Sequence, residues 1–262
     1  VPADAHRRVQ MFEAAEAKEW SQRTNDVLAE AVNKYPDRFI GLATIPAQCP
    51  EDSVQEIERA ITKLGLKGVN ITSHAKNEYL DDKKYRVIFE AAAKLDVPVY
   101  LHPAHPSSLI SDAFDCYDGI LMSATYGFAV EVSIHVLRLI MSGLFDEYPN
   151  LKMVIGHMGE GLPYWFSRID FAWTKEGIKK PPIKKSPSEY IKNNFTITTS
   201  GMFYIPALMC AYASMGPDKI TLGVDYPIEG VGEALEFMRE APICDEDKEK
   251  IYHSNAEALF KL

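Results

Sequence analysis

From residue 39 onward, short apolar runs alternate with longer stretches in which apolar side chains return every three or four positions. The runs at 39–45 (FIGLATI), 67–72 (KGVNIT), 97–101, 152–155, 195–199 and 220–224 predict buried strands. The stretches between and after them, at 51–64, 83–95, 129–146, 162–173, 205–214, 230–240 and 246–261, predict helices. Ahead of them, residues 4–34 hold neither Gly nor Pro and place Val9, Phe12, Trp20, Val27, Leu28 and Ala31 at mostly helical steps, which predicts one amphipathic helix or two in succession. Strands that alternate with helices imply a parallel sheet.

Six strands suit an open doubly wound sheet, but that fold wants a glycine-rich phosphate loop after an early strand, and neither GxGxxG nor GxxxxGK[ST] occurs. The expectation is therefore an α/β chain of the (β/α)8 TIM-like barrel class, a single domain over residues 1–262 whose first two strands are missing from this sequence. A start on a polar helix without an initiating Met agrees with it.

With 262 residues and 47% hydrophobic side chains, the chain can bury a large core. A formal net charge of −9 disfavours nucleic acid and anionic membrane surfaces as partners. The one basic stretch, KEGIKKPPIKK at 175–185, reads as a solvated loop. Cys49, Cys116, Cys210 and Cys244 are scattered without CxxC spacing, which points to thiols in a reducing compartment. No apolar run is long enough for a membrane span, and the charged N-terminus is not a secretory signal, so the expectation is a cytoplasmic protein with no membrane partner.

Three of the apolar runs lead into side chains that can hold a metal or move a proton. VPVYLH closes at His102, LKMVIGH at His157 and ITLGVD at Asp225. In a parallel barrel the active site is built at the C-terminal ends of the strands, so these endings predict one convergent site. A lone strand histidine is commonly a core residue, but the strand-end placement of His102 and the matching Asp225 favour a ligand role. Asp225 follows an apolar run in GVDYP, where a carboxylate is costly to bury unless it is paired, protonated or coordinated. Pro227 and a delayed helix start make simple helix capping awkward for it. In GHMGEGLPYW, Glu160 lies within reach of the His157 imidazole, and a carboxylate there fixes its tautomer and raises its basicity, as general acid–base work requires. A helix-start carboxylate is the plainer use of Glu160.

Arg168 can hold a substrate carboxylate or pair with Asp170. His74 and His105 are further candidates to bind substrate, His105 within a long loop, 103–127, that reads as a lid or pocket wall. Loop packing is the plainer reading of His74. His135 reads as structural, His253 as locally hydrogen-bonded, Asn255 as a cap of the last helix and His6 as exposed.

The stretch IHVLRLIMSGLFDEYPNLKMVIGHMGEGLPYWFSRID, with VPVYLHP before it and GVDYPIE and NAEALFKL after it, resembles the amidohydrolase superfamily. Within it the similarity is to the branch of aminocarboxymuconate semialdehyde decarboxylase and γ-resorcylate decarboxylase, in order over nearly the whole chain. The resemblance implies a distorted (β/α)8 barrel with one divalent metal, Zn or Mn, at its C-terminal face. By the same resemblance His102 and Asp225 are metal ligands and His157 is the catalytic histidine, with Glu160 as its partner. It further implies a homodimer or homotetramer.

The first-strand ExH or HxH pair that supplies two more ligands in that branch does not occur in residues 1–262. Two protein ligands alone would bind metal poorly, since a catalytic zinc typically keeps three. The activity implied is metal-dependent, non-oxidative decarboxylation of a small hydroxylated aromatic or related unsaturated carboxylic acid. Asp225 is the first candidate proton donor, with His157, Glu160 and Arg168 orienting the substrate. A hydrolase or hydratase using a metal-activated water is the alternative on the same scaffold. A catalytically silent, ligand-binding barrel is the reading from another class.

Overall fold

The computed structural model describes residues 9–262, so His6 and the first part of the 4–34 stretch lie outside the described residues. The chain divides into two units, one ending at Lys152 and one spanning Met153–Leu262.

The first unit runs α1 (Ala14–Lys34), β1 (Leu42–Thr44), α2 (Pro50–Thr62), β2 (Gly68–Thr72), α3 (Arg86–Lys94), β3 (Val99–His102) and α4 (Gly127–Met141). Its three strands pair in parallel, Leu42 opposite Gly68 and Thr72 opposite His102 at the two ends of the ladders. Strand residues Val69, Ile71, Val99 and Leu101 are buried, as are Ile57, Ile88 and Leu139 on the helices. α2 begins as a helix should, with Pro50 in its first turn followed by Glu51 and Asp52 at the positive end of its dipole. Two buried side-chain amides complete the strand hydrogen bonding. Asn25 accepts from Thr44 N–H and donates to Thr44 O, and Gln10 does the same for Thr72.

The second unit runs β4 (Met153–Ile155), α5 (Leu162–Ile169), α6 (Pro187–Asn194), β5 (Phe195–Thr198), α7 (Ile205–Met215), β6 (Ile220–Thr221) and α8 (Val231–Glu240), then closes with two short helices. Met153 is opposite Phe195 and Ile197 opposite Ile220, again in parallel. Ser186 and Glu189 form a capping box at the start of α6, with Pro187 between them at the first helical position.

Five of the six strands fall within their expected runs, shortened, while β3 begins two residues late and ends one residue beyond its run, at His102. The last differs most. β6 stops at Thr221, and beyond it the Thr199 hydroxyl accepts from Gly223 N–H and donates to Gly223 O, taking the place of a main-chain ladder up to Asp225. The 129–146 helix breaks at Gly143, which is left-handed at φ 81°, and resumes as Leu144–Glu147. The 162–173 helix breaks at Asp170, whose carboxylate accepts from both N–H and Oγ of Ser188. The final helix is interrupted by a π turn at Lys250–Ser254. Among the described residues, no helix is long and apolar enough to cross a membrane.

Candidate active site

His157 stands two residues past β4, and the backbone there does something unusual. His157, Met158, Gly159, Glu160 and Gly161 all have positive φ, between 50° and 78°. Only glycine adopts that region without penalty, and each L-residue costs roughly 1–2 kcal/mol there. Three of the five are not glycine. Such stored strain is characteristic of functional sites, where the surroundings hold a conformation the local sequence would not choose. Its effect is to fold Glu160 back under the imidazole. His157 Nδ1–H donates to Glu160 Oε1 at 2.6 Å, and Glu160 is almost wholly buried. Glu160 thereby serves the histidine.

The opposite nitrogen, Nε2, faces Asp225 Oδ2 at 4.0 Å. Burial acts to lower the His157 pKa, but the hydrogen bond and charge of Glu160, with the charge of Asp225 added, outweigh it and raise the pKa overall. The imidazolium is thus favoured between two carboxylates. Asp225 is itself left-handed, at φ 71°, and its main-chain carbonyl accepts from Ile228 and Glu229 N–H. The turn is made by its backbone, and its side chain is not a helix cap.

Gly201, three residues past β5, completes this side. A Cβ built on it would lie 3.1 Å from His157 Cδ2 and 3.6 Å from both His157 Nε2 and Asp225 Oδ2, and its φ is +62°. A glycine therefore leaves open the space between imidazole and carboxylate. Nothing in the sequence singled it out beyond a glycine soon after a strand.

In the first unit, His102 ends β3 as expected and is partly buried. Its Nδ1 lies 2.9 Å from Pro103 O. A carbonyl can only accept, so Nδ1 carries the proton and the lone pair is on Nε2. That is the tautomer a metal takes, with the other nitrogen held by a carbonyl.

The remaining candidates each have neighbours of their own. Both nitrogens of His74 are engaged by main chain, Nδ1 accepting from Asn77 N–H and Nε2 donating to His105 O, so it clamps a loop and does not present a nitrogen to substrate. His105 is exposed, its ring tilted against Phe128 at 5.6 Å. Arg168 is exposed with its guanidinium 5.0 Å over the Phe171 ring, and Asp170 is occupied by Ser188. His135 is fully buried and His253 bonds Glu249 and Glu257, both as expected. Asn255 is not a cap: it donates to Pro217 O and Ile220 O, because the π turn continues into the last helix and leaves no free helix start. Among the described residues, no group of three or more His, Cys, Asp or Glu side chains is placed to hold a metal ion.

An α/β chain of parallel strands with candidate site residues at and just past the strand ends, it belongs to the amidohydrolase family, whose model matches residues 1–262. It has the TIM-barrel-like fold class of that family. The chain is 41% identical to γ-resorcylate decarboxylase of Polaromonas sp. (strain JS666), over 95% of this chain and 78% of the relative. It resembles the crystal structure of dihydroxybenzoic acid decarboxylase from Polaromonas sp. JS666 with bound manganese and the inhibitor 2-nitroresorcinol at 39% identity and a TM-score of 0.92, over 97% of this chain and 79% of that one. To 5-carboxyvanillate decarboxylase from Sphingomonas paucimobilis the TM-score is 0.91 at 39% identity, over 97% and 76%.

Proposed function

We propose that this protein is a carboxy-lyase that removes carbon dioxide, without oxidation, from a hydroxylated aromatic carboxylic acid, using one divalent metal ion. The observation that carries this reading is the His157 imidazole held between Glu160 at 2.6 Å and Asp225 at 4.0 Å, beside the space left by Gly201. Relatives near 40% identity that act on dihydroxybenzoate and carboxyvanillate support the substrate class.

His102 and Asp225 are the proposed metal ligands. An imidazole nitrogen and a carboxylate suit manganese or zinc, and with the Nδ1–H of His102 donating to Pro103 O, Nε2 is the nitrogen that would ligate the ion. When bound, a divalent ion supplies Lewis-acid charge stabilisation and a template for a carboxylate and a neighbouring hydroxyl oxygen.

The reaction exchanges one substituent for another at a ring carbon. Asp225, a carboxylate in the free protein and protonated in the reacting complex, passes its proton to the carbon bearing the carboxylate, and the ring loses aromaticity. The bond to the carboxylate then breaks, its electron pair restores the ring, and carbon dioxide leaves. Asp225 ends deprotonated and regains its proton from solvent. His157, kept cationic by Glu160, balances the carboxylate charge and fixes the substrate's orientation. Arg168 is the further candidate to hold the carboxylate.

The test is carbon dioxide release from a panel of ortho-hydroxybenzoates by the manganese-loaded protein, set against lactone and amide cleavage. Release of carbon dioxide with inert lactones and amides supports the reading. Hydrolysis without release would replace it by the hydrolase alternative.

A further inference from the structure

A buried polar cluster in the first unit has no part in the proposed chemistry. Glu131, on α4, is fully buried, although a carboxylate is costly to take out of water and an apolar side chain would fill the same space without that cost. Its Oε1 accepts from Ser73 Oγ at 3.2 Å, and its Oε2 from Tyr79 OH at 3.1 Å and from the Ser107 main-chain N–H at 2.9 Å. His135, one turn along and equally buried, accepts Leu80 N–H on Nε2 and lies 3.2 Å from Ser73 Oγ through Nδ1.

What this cluster grips is the segment 103–108, which has no regular structure and follows directly on His102. Four of its main-chain groups are taken by side chains. Pro103 O accepts from His102 at 2.9 Å, His105 O from His74 at 3.1 Å, and the N–H groups of Ser107 and Ser108 donate to Glu131 and Asn77, both at 2.9 Å. Asn77 N–H in turn fixes the His74 ring. Pro103 and Pro106 stiffen the path between these anchors. Pro103 O thus cannot drift from the His102 ring without breaking bonds further along.

The geometry points to Glu131 and His74 as positioning residues for His102. By pinning residues 103–108 they keep Pro103 O aimed at Nδ1, which holds the lone pair on Nε2 and fixes its direction. This deepens the proposed metal site and rests on His102 being one of its ligands. It also accounts for the buried carboxylate, whose main-chain partner lies just past that histidine.

The test is calorimetric titration of Mn2+ into the metal-free protein, with circular dichroism to check the fold. Glu131→Gln and His74→Phe are each expected to weaken Mn2+ binding about 10- to 100-fold, the usual cost of losing a residue that orients a metal ligand. Val136→Ala thins the same helix's buried face at a side chain that makes none of these hydrogen bonds; it is expected to melt earlier yet bind Mn2+ as the wild type does. Wild-type affinity in the folded Glu131→Gln and His74→Phe variants would overturn the inference, as would equal weakening by Val136→Ala. If Glu131→Gln does not fold, His74→Phe decides alone. His102→Ala separates this inference from the reading beneath it: affinity that survives that change overturns the metal assignment, and the inference with it.

Discussion

The His157 imidazole donates Nδ1–H to Glu160 Oε1 at 2.6 Å across a run of five left-handed residues. The left-handed turn sets the geometry in which the Glu160 carboxylate meets the ring. Glu160→Gln keeps the shape and removes the charge. We expect kcat to fall by about 10²-fold or more, within the range for losing an acid–base partner, with little change in melting temperature. Separate kcat and KM values check this, and a wild-type kcat would show that the carboxylate is structural only.

Gly201 is needed for both its backbone and its missing side chain. Gly201→Ala is expected to cost about 1–2 kcal/mol of stability from the left-handed backbone. It should also lower kcat/KM sharply, because the methyl enters the space between His157 and Asp225. Gly143 is also left-handed, at φ +81°, but a Cβ there would meet nothing within 4 Å. Gly143→Ala should therefore lose similar stability and keep full activity per folded molecule. Equal activity losses in the two variants would remove Gly201 from the site.

Acid should destabilise the first unit through His135. Burial first, then the charges of His74 and Arg138, depress its pKa to about 3, so the folded protein keeps it neutral while the unfolded chain takes up a proton near pH 6.5. Its contribution is present above that pH and is lost as pH falls towards 3, amounting to up to about 3 kcal/mol between pH 6.5 and 4. Denaturant melts across that range should show a shallower acid decline in His135→Gln, which is less stable at neutral pH. Parallel curves for the two proteins would contradict this.

Much of this was legible in the chain. An apolar run that ends in His or Asp gave away β3, β4 and the approach to Asp225, because burial sets the run and solvent access sets its end. The four-residue span from His157 to Glu160 revealed the pair as well. The five-residue left-handed turn was not legible, since Met158 and Glu160 have no local preference for positive φ and are held there by packing. Gly201 and Glu131 were hidden for another reason. Their importance comes from residues distant in sequence, Asp225 for one and Ser107 for the other, and no local pattern encodes such pairings. Asn255 looked like a cap because its neighbours suit one, and long-range carbonyls claimed it instead.

Removal of the metal should silence the protein reversibly. Chelation is expected to abolish turnover and added Mn2+ to restore it, while His102→Ala stays inactive at any Mn2+ concentration that saturates the wild type. Full activity after exhaustive chelation, with metal content verified by elemental analysis, would contradict a role for the ion.

The most direct measurement is carbon dioxide release from an ortho-hydroxybenzoate by manganese-loaded wild type and Asp225→Asn, with metal content measured in both. The account predicts stoichiometric release by the wild type and at least a 10²-fold lower rate in Asp225→Asn. Undiminished release by Asp225→Asn, or none by wild type that holds its metal, would contradict it.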